Sequence, residues 1–226
     1  MATPRPALAL FDLDHTLIPF DSGMAWTRFL IRAGALEAAA EARYLGWAHA
    51  YVAGTLDMRA MHRSTIAPLA GVEPARLQGW LGDFEAEIAP RLPAAAHELV
   101  ARHREAGALC AIVTATSRLI ATPFARAFGI EHLLATETRF VEGRPDGEID
   151  GEPCYREHKT AHVQAWLAAR GTALGAFEPS WFYSDSAGDL ALLGAVTHPV
   201  AVAPDARLRA HARRAGWDIL ELHAAP

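Results

Sequence analysis

Three observations in the sequence predict a doubly wound α/β protein, a parallel sheet covered by helices on both faces. Short runs rich in Val, Ile, Phe and Tyr recur without polar alternation, as strands buried on both sides require. Stretches with apolar residues at helical spacing lie between them, so strand and helix alternate. The alternation is interrupted once, directly after the first strand, by a long segment with helical spacing and no convincing strand, which predicts an inserted helical unit.

The elements follow in order. "ALALFD" (7–12) is the first strand. From Ser22 to about Glu87 the chain is rich in Ala, Leu, Trp and Arg, as in "MAWTRFLIRAGALEAAAEARYLGWAHAYVAG", and is expected to be helical throughout. We therefore divide the chain into an α/β core, residues 1–17 and 90–226, and a helical insert, residues 18–89. Pro93 to Ala106 reads as a helix and "ALCAIVT" (108–114) as the second strand. A helix from Thr122 to Phe128 has Thr122 as its N-cap, Pro123 at its first position and Gly129 after its end. Residues 135–153, with the turn-rich "EGRPDGEIDGEP", fit a small β-ribbon. The helix His158 to Arg170, the strand "WFYS" (181–184), the strand "PVAVA" (199–203), the helix Asp205 to Ala215 and the strand "WDILEL" (217–222) complete the core.

Composition narrows the function. The 226 residues are 51% hydrophobic with a formal net charge of −5, so no basic footprint for nucleic acid or an anionic membrane surface is expected. The longest uncharged apolar run, Leu190 to Pro204, is too short for a membrane span and contains His198 and two prolines. The N-terminal apolar run meets Asp12 too early for a signal-peptide core, so a cytoplasmic protein is expected. Two cysteines, Cys110 and Cys154, build neither a disulfide framework nor a thiolate metal cage. The tryptophans at 26, 47 and 80 read as helix-packing residues, and His15 as a residue of the cleft rim or of solvent.

Ligands of a parallel sheet sit beyond the carboxyl ends of its strands, and four positions there are unusually polar. The first strand ends at Asp12 and runs on to Asp14, an i, i+2 pair that projects to one side. The second ends at Thr114, and the following "ATS", from Ala115, offers amides and hydroxyls as an anion cradle. "YSDSAGD" supplies Asp185 and Asp189. Lys159 opens a helix, where a cation opposes the helix dipole unless an anion is near. Four clustered carboxylates need positive charge among them, and Mg²⁺ with Lys159 meets that need in a site that handles phosphoryl groups. Read singly, each residue has a plainer explanation: Asp12 and Asp14 as a strand-end turn, Lys159 as a surface lysine, Thr114 as a β-branched strand residue. Asp21 belongs either to a substrate contact or to the start of the insert's first helix.

"FDLDHT", the strand end at Thr114, Lys159 and "SDSAGD" resemble, in order, the four motifs of the haloacid dehalogenase superfamily, and the insert resembles its C1 cap. The likeness spans nearly the whole chain and is nearest to the phosphoserine-phosphatase-like branch. It implies a Mg²⁺-dependent phosphohydrolase of a small phosphomonoester, working through an aspartyl-phosphate. Asp12 would be the nucleophile and Asp14 the general acid/base; Thr114 and Ala115 would bind phosphate, and Lys159 would steady both. The metal would be held by Asp12, Asp185 and the backbone carbonyl of Asp14, with Asp189 supporting its waters. Asp14 itself favours phosphate chemistry, since dehalogenating members usually lack it.

Departures from the branch bear on substrate. His15 stands where it usually has Ser, Asp21 where it has Glu, Ala115-Thr116 where it has Gly-Gly, and Gly188 where it has Asn. Its substrate-gripping arginine falls at Met61, with Arg59 and Arg63 close by. Phosphoserine and histidinol phosphate are the named candidates. A phosphotransferase using the same site, and a phospho-aspartate switch without turnover, are the alternatives.

Overall fold

A computed structural model describes residues 5–223; the outermost residues of the expected core segments, 1–4 and 224–226, lie outside the described residues, and with them part of the N-terminal stretch judged against a signal peptide. In chain order the elements are β1 (Leu8–Phe11), α1 (Ser22–Arg32), α2 (Ala39–Ala53), α3 (Met58–Ile66), α4 (Pro74–Ile88), α5 (Ala94–Glu105), β2 (Leu109–Ser117) and α6 (Arg118–Ala127). They continue with β3 (His132–Thr136), β4 (Thr138–Val141), β5 (Arg144–Ile149), α7 (His158–Ala168), β6 (Ser180–Ser184), α8 (Leu190–Leu193), β7 (His198–Val202), α9 (Ala206–Ala215) and β8 (Asp218–Leu220).

Six strands form one sheet in the order β3-β2-β1-β6-β7-β8, and every pair is parallel. The chain leaves β1 toward β2 and β3, then returns to the other side of β1 through β6. That reversal opens a crevice at the carboxyl ends of β1 and β6, where ligands of such sheets bind. β1 shows why its sequence is apolar without a break. Ala9 and Phe11 face a cluster with Val100, Ile112 and Phe124, while Leu8 and Leu10 face another with Val163, Phe182 and Leu208. Both faces are buried, so both parities must be apolar.

Helices α1 to α4 occupy the expected insert, and they are not equally attached. Trp26 of α1 and Phe84 of α4 meet at 5.0 Å, and Phe84 meets Phe124 of α6 at 5.8 Å, which welds these two helices to the sheet's cover. Helix α3 packs on the β4–β5 ribbon: Arg63 pairs with Glu148 at 2.6 Å, Arg59 donates to the Gly151 carbonyl at 2.8 Å, and buried His62 meets the Thr138 hydroxyl at 3.3 Å. Gly147 of the ribbon has φ +92°, and a β-carbon there would lie 2.7 Å from the Ala67 side chain, so the close approach needs glycine. Helix α2 differs. Ala40 is its buried residue, Leu45, Tyr51 and Val52 are exposed, and a hydrogen bond from Tyr51 to the Ser186 hydroxyl, 3.3 Å, ties it to the far side of the crevice.

Four expectations are corrected. Thr122 is not an N-cap: α6 starts four residues earlier, the Thr122 hydroxyl donates back to the Arg118 carbonyl at 2.7 Å, and Pro123 lies inside the helix. β2 does not end at Thr114 but continues to Ser117 through a register shift against β3. β3, a short edge strand, is not among the expected strands, and the expected ribbon, 135–153, takes in only its last two residues. Trp47 lines the crevice instead of packing between helices. Among the described residues no helix is long and apolar enough to cross a membrane.

Candidate active site

β1 delivers Asp12 to the floor of the crevice, and Lys159 in the first turn of α7 reaches it with Nζ 2.7 Å from Oδ1. The same ammonium donates to Asp189 Oδ2 at 2.7 Å, where the Ser184 hydroxyl also donates at 2.7 Å. All three ionisable groups are buried. Burial alone disfavours the Lys159 charge, but Asp12 and Asp189 outweigh it and hold the ammonium well above its ordinary pKa. Its position at a helix start is thus compensated by two carboxylates.

The turn after β1 is set by His15, a non-glycine residue at φ 57° and exposed on the crevice rim, as expected from sequence. Thr16, fully buried, links the two strand ends. Its hydroxyl accepts from the Asp185 amide at 3.0 Å, and its one proton serves Asp12 Oδ2 at 3.3 Å or Asp185 Oδ1 at 3.2 Å. Asp205 holds the 185–189 loop from behind, its amide donating to the Asp185 carbonyl at 2.8 Å and its carboxylate accepting from Ala187 at 2.7 Å.

Asp14 turns toward the insert. Its Oδ1 accepts from the Ser22 amide and its Oδ2 from the Thr116 hydroxyl, both at 2.6 Å. Burial, and next the neighbouring Asp21 charge, raise its pKa despite those bonds. Asp21 is the N-cap of α1: Oδ1 accepts from the Met24 amide and from the Tyr44 hydroxyl, both at 2.7 Å, and Asp21 also lines the crevice. Of the two roles weighed for it, the helix start is the one present, with the side chain also facing the crevice. Thr114 is fully buried beneath the crevice, its hydroxyl accepting from the Thr116 amide at 3.1 Å, and Thr136 braces the Ala115 carbonyl at 2.7 Å. The register shift in β2 is what turns these groups toward Asp12 and Asp14.

The residues picked from the sequence, Asp12, Asp14, Asp21, Thr114, Ala115, Lys159, Asp185 and Asp189, all line one crevice of about 790 Å³. Sequence reasoning missed Tyr44, Tyr51, Met58, Tyr155, Arg156 and Arg207 on its walls. Of the four carboxylates Asp12, Asp14, Asp185 and Asp189, two, Asp12 and Asp189, pair with Lys159. Asp185 has no cationic partner among the described residues; burial, then the charges of Asp12 and Asp189, push its carboxyl up to about 8. An orphaned carboxylate beside Asp12 fits a hard divalent cation. Among the described residues no three His, Cys, Asp or Glu side chains form a group that could hold a metal ion by themselves.

The parallel sheet with aspartates and a lysine gathered at its strand ends defines a doubly wound α/β protein with a strand-end crevice. The haloacid dehalogenase-like hydrolase family model matches residues 9–194, and the chain belongs to that family. It is 38% identical over 216 residues to a histidinol-phosphatase of Neisseria meningitidis, covering 94% of this chain and 97% of that one. Among solved structures it is similar to a protein of unknown function from Bordetella pertussis, with 43% identity, TM-score 0.89, 97% of this chain and 100% of that one covered. A substrate-bound phosphoserine phosphatase shares the fold at TM-score 0.68 and 15% identity, with 98% and 94% of the two chains covered.

Proposed function

We propose that this enzyme hydrolyses a small phosphomonoester through an aspartyl-phosphate on Asp12. The observation that carries the reading is the pairing of Asp12, fixed by Lys159 at 2.7 Å on the crevice floor, with Asp14, whose two oxygens are held by protein donors and whose pKa is raised. Burial raises the pKa of both carboxyls; Lys159 opposes that rise at Asp12 and favours its anionic form, while among the described residues no cation does so at Asp14.

In the first half-reaction an Asp12 carboxylate oxygen attacks phosphorus as the ester P–O bond breaks, and the Asp14 carboxyl gives its proton to the departing oxygen. In the second, Asp14 takes a proton from water as the water oxygen attacks phosphorus; the bond to Asp12 breaks and inorganic phosphate leaves. Lys159, Thr114 and the backbone after it face the phosphoryl oxygens, and the Thr116 hydroxyl keeps Asp14 aimed between the two positions. Hydrolases of this family generally use a divalent metal, and we assign Mg²⁺ to Asp12, Asp185 and the Asp14 carbonyl, with Asp189 supporting its waters. Bound there, the cation neutralises carboxylate charge that would otherwise repel the phosphoryl group. Helices α1 to α4 would act as the cap that keeps bulk water from the first step. Phosphoserine and histidinol phosphate are both of the right class, the second supported by the Neisseria relative. A crevice of this depth beside Asp12 favours turnover of a small ligand over a phospho-aspartate switch.

Phosphate release from a panel of small esters, with Mg²⁺ and with chelator, tests the reading. Asp12→Asn is expected to lower turnover by at least roughly a thousandfold with an unchanged circular-dichroism melt, and chelator to abolish release from the wild type. Turnover retained in Asp12→Asn would remove the mechanism. Asp14→Asn is expected to slow ester cleavage and phosphoenzyme decay together, by about a hundredfold or more, in rapid-quench measurements.

A further inference from the structure

The turn after β1 closes on the Leu13 carbonyl, which accepts from the Thr16, Leu17 and Ile18 amides at 3.3, 3.0 and 3.1 Å. That closure leaves the Thr16 carbonyl without a donor inside the turn. Thr16 is fully buried, and a buried carbonyl needs a hydrogen bond from somewhere. It receives one from 207 residues away: Nε2 of His223 lies 2.7 Å from the Thr16 oxygen, and no other described residue donates to it.

His223 arrives from the far edge of the sheet. β8, the strand before it, is separated from β1 by β7 and β6, and all four run parallel, so the chain leaving β8 emerges on the edge that carries Asp12 and Asp185. Leu220 and Leu222 pack against the apolar cluster that holds Tyr183 and Val202, which fixes the path back toward β1. A carbonyl only accepts, so Nε2 carries the ring proton. Nδ1 is buried and meets no hydrogen-bond partner among the described residues, and burial lowers the pKa of the ring; the neutral Nε2–H tautomer is the form that fits.

His223 is not among the residues that line the crevice, and it reaches the site through Thr16. The two oxygens of Thr16 divide the work. The carbonyl is held by His223, while the hydroxyl accepts from the Asp185 amide and donates to a carboxylate oxygen of Asp12 or Asp185. A shift of Thr16 therefore alters the spacing of Asp12 and Asp185, the two carboxylates assigned above to the cation. Mg²⁺ demands near-ideal octahedral geometry, so its affinity responds to such a change, and partners behind the ligands are what orient them.

On the phosphohydrolase reading above, we propose that His223 is a positioning residue of this site: its hydrogen bond to the Thr16 carbonyl sets the spacing of Asp12 and Asp185 and, through it, the affinity for the divalent cation.

Calorimetric titration of Mg²⁺ into the protein without ester tests the inference. His223→Ala is expected to weaken Mg²⁺ binding about tenfold, and to leave the KM of an ester at saturating Mg²⁺ within about twofold of the wild type. His223→Gln, whose side-chain amide can still donate to the Thr16 carbonyl, should recover most of the affinity. His223→Phe, which fills the space of the ring without a donor, should not, and it reads the same loss if the alanine variant fails to fold. In a Thr16→Val background, where the hydroxyl link is already gone, removing the His223 donor should weaken Mg²⁺ binding no further. Wild-type Mg²⁺ affinity in the alanine or phenylalanine variant, an equal loss in His223→Gln, or a full loss added to that of Thr16→Val overturns the inference. The expected pattern of Mg²⁺ binding with no phosphate released from any ester by the wild type overturns the phosphohydrolase reading alone.

Discussion

Gly23 lies beneath the Tyr44 hydroxyl, and a β-carbon added there would stand 2.1 Å from that oxygen. The glycine therefore admits Tyr44, and Tyr44 in turn fixes the Asp21 carboxylate. Burial, then the Asp21 charge, push the Tyr44 phenol well above its usual pKa, so it stays a donor at any physiological pH. Gly23→Ala is expected to raise KM for an amine-bearing ester about tenfold with little change in kcat, since a hydrogen bond to a charged group contributes roughly 1.5–3 kcal/mol. Tyr44→Phe should move KM the same way, and steady-state kinetics on both variants checks the pair. A fall confined to kcat would count against positioning of Asp21. At this scale the aspartates and Lys159 were legible in the sequence because each stands at a strand end or a helix start that local pattern locates. Tyr44 and Tyr155 were not, because which face of α2, or which side of the loop before α7, meets the crevice depends on how those segments are rotated in space.

Helix α3 and the β4–β5 ribbon hold each other through ion pairs, a glycine contact and one buried histidine. His62 is 4% exposed, and burial lowers its pKa to about 4, with Glu148 and Asp146 opposing that shift only partly. In the unfolded chain it titrates near 6.5. The native state therefore keeps the ring neutral where the unfolded state binds a proton, so stability is full above about 6.5 and falls as pH drops toward about 4. The loss approaches about 2–3 kcal/mol at about 1.4 kcal/mol per pKa unit. Urea unfolding of wild type and His62→Gln at pH 7.5 and 4.5 checks this: the wild type should lose more stability between the two than the variant. Identical losses would place the pH sensitivity elsewhere. The ribbon was legible from its turn residues, whereas its partner was not, since nothing local links residues 59–63 to residues 138–152. The start of α6 differs for a related reason: Thr122 and Pro123 imitate a helix start, yet the helix begins at Arg118 and carries Pro123 inside it.

The molecule divides into parts of unequal hold. One face of the sheet shares an apolar cluster with α1, α4, α5 and α6, the other face shares a second with α7, α8 and α9, and α3 is bound to the ribbon. Helix α2 buries little and reaches across the crevice through Tyr51 and Ser186. Its amides should exchange with deuterium faster than those of α1, α3 and α4, and a phosphate analogue such as vanadate with Mg²⁺ should slow α2 more than any other insert helix. Uniform protection across the four helices would mean that the insert moves as a block. The sheet class and the insertion point were legible because strands buried on both faces leave long apolar runs, and the break in alternation is itself a signal. The unequal attachment of the insert was not, because it arises from contacts between segments far apart in the chain.

The two faces of α3 have a consequence for how this enzyme diversifies. Adhesion to the ribbon is carried by Arg59, His62 and Arg63, while Met58 and Met61 line the crevice, so the two tasks occupy different positions of one helix. Substitution at 58 and 61 changes the crevice lining and leaves the ribbon contacts in place. The helix thus works as a fixed mount for an exchangeable reading surface.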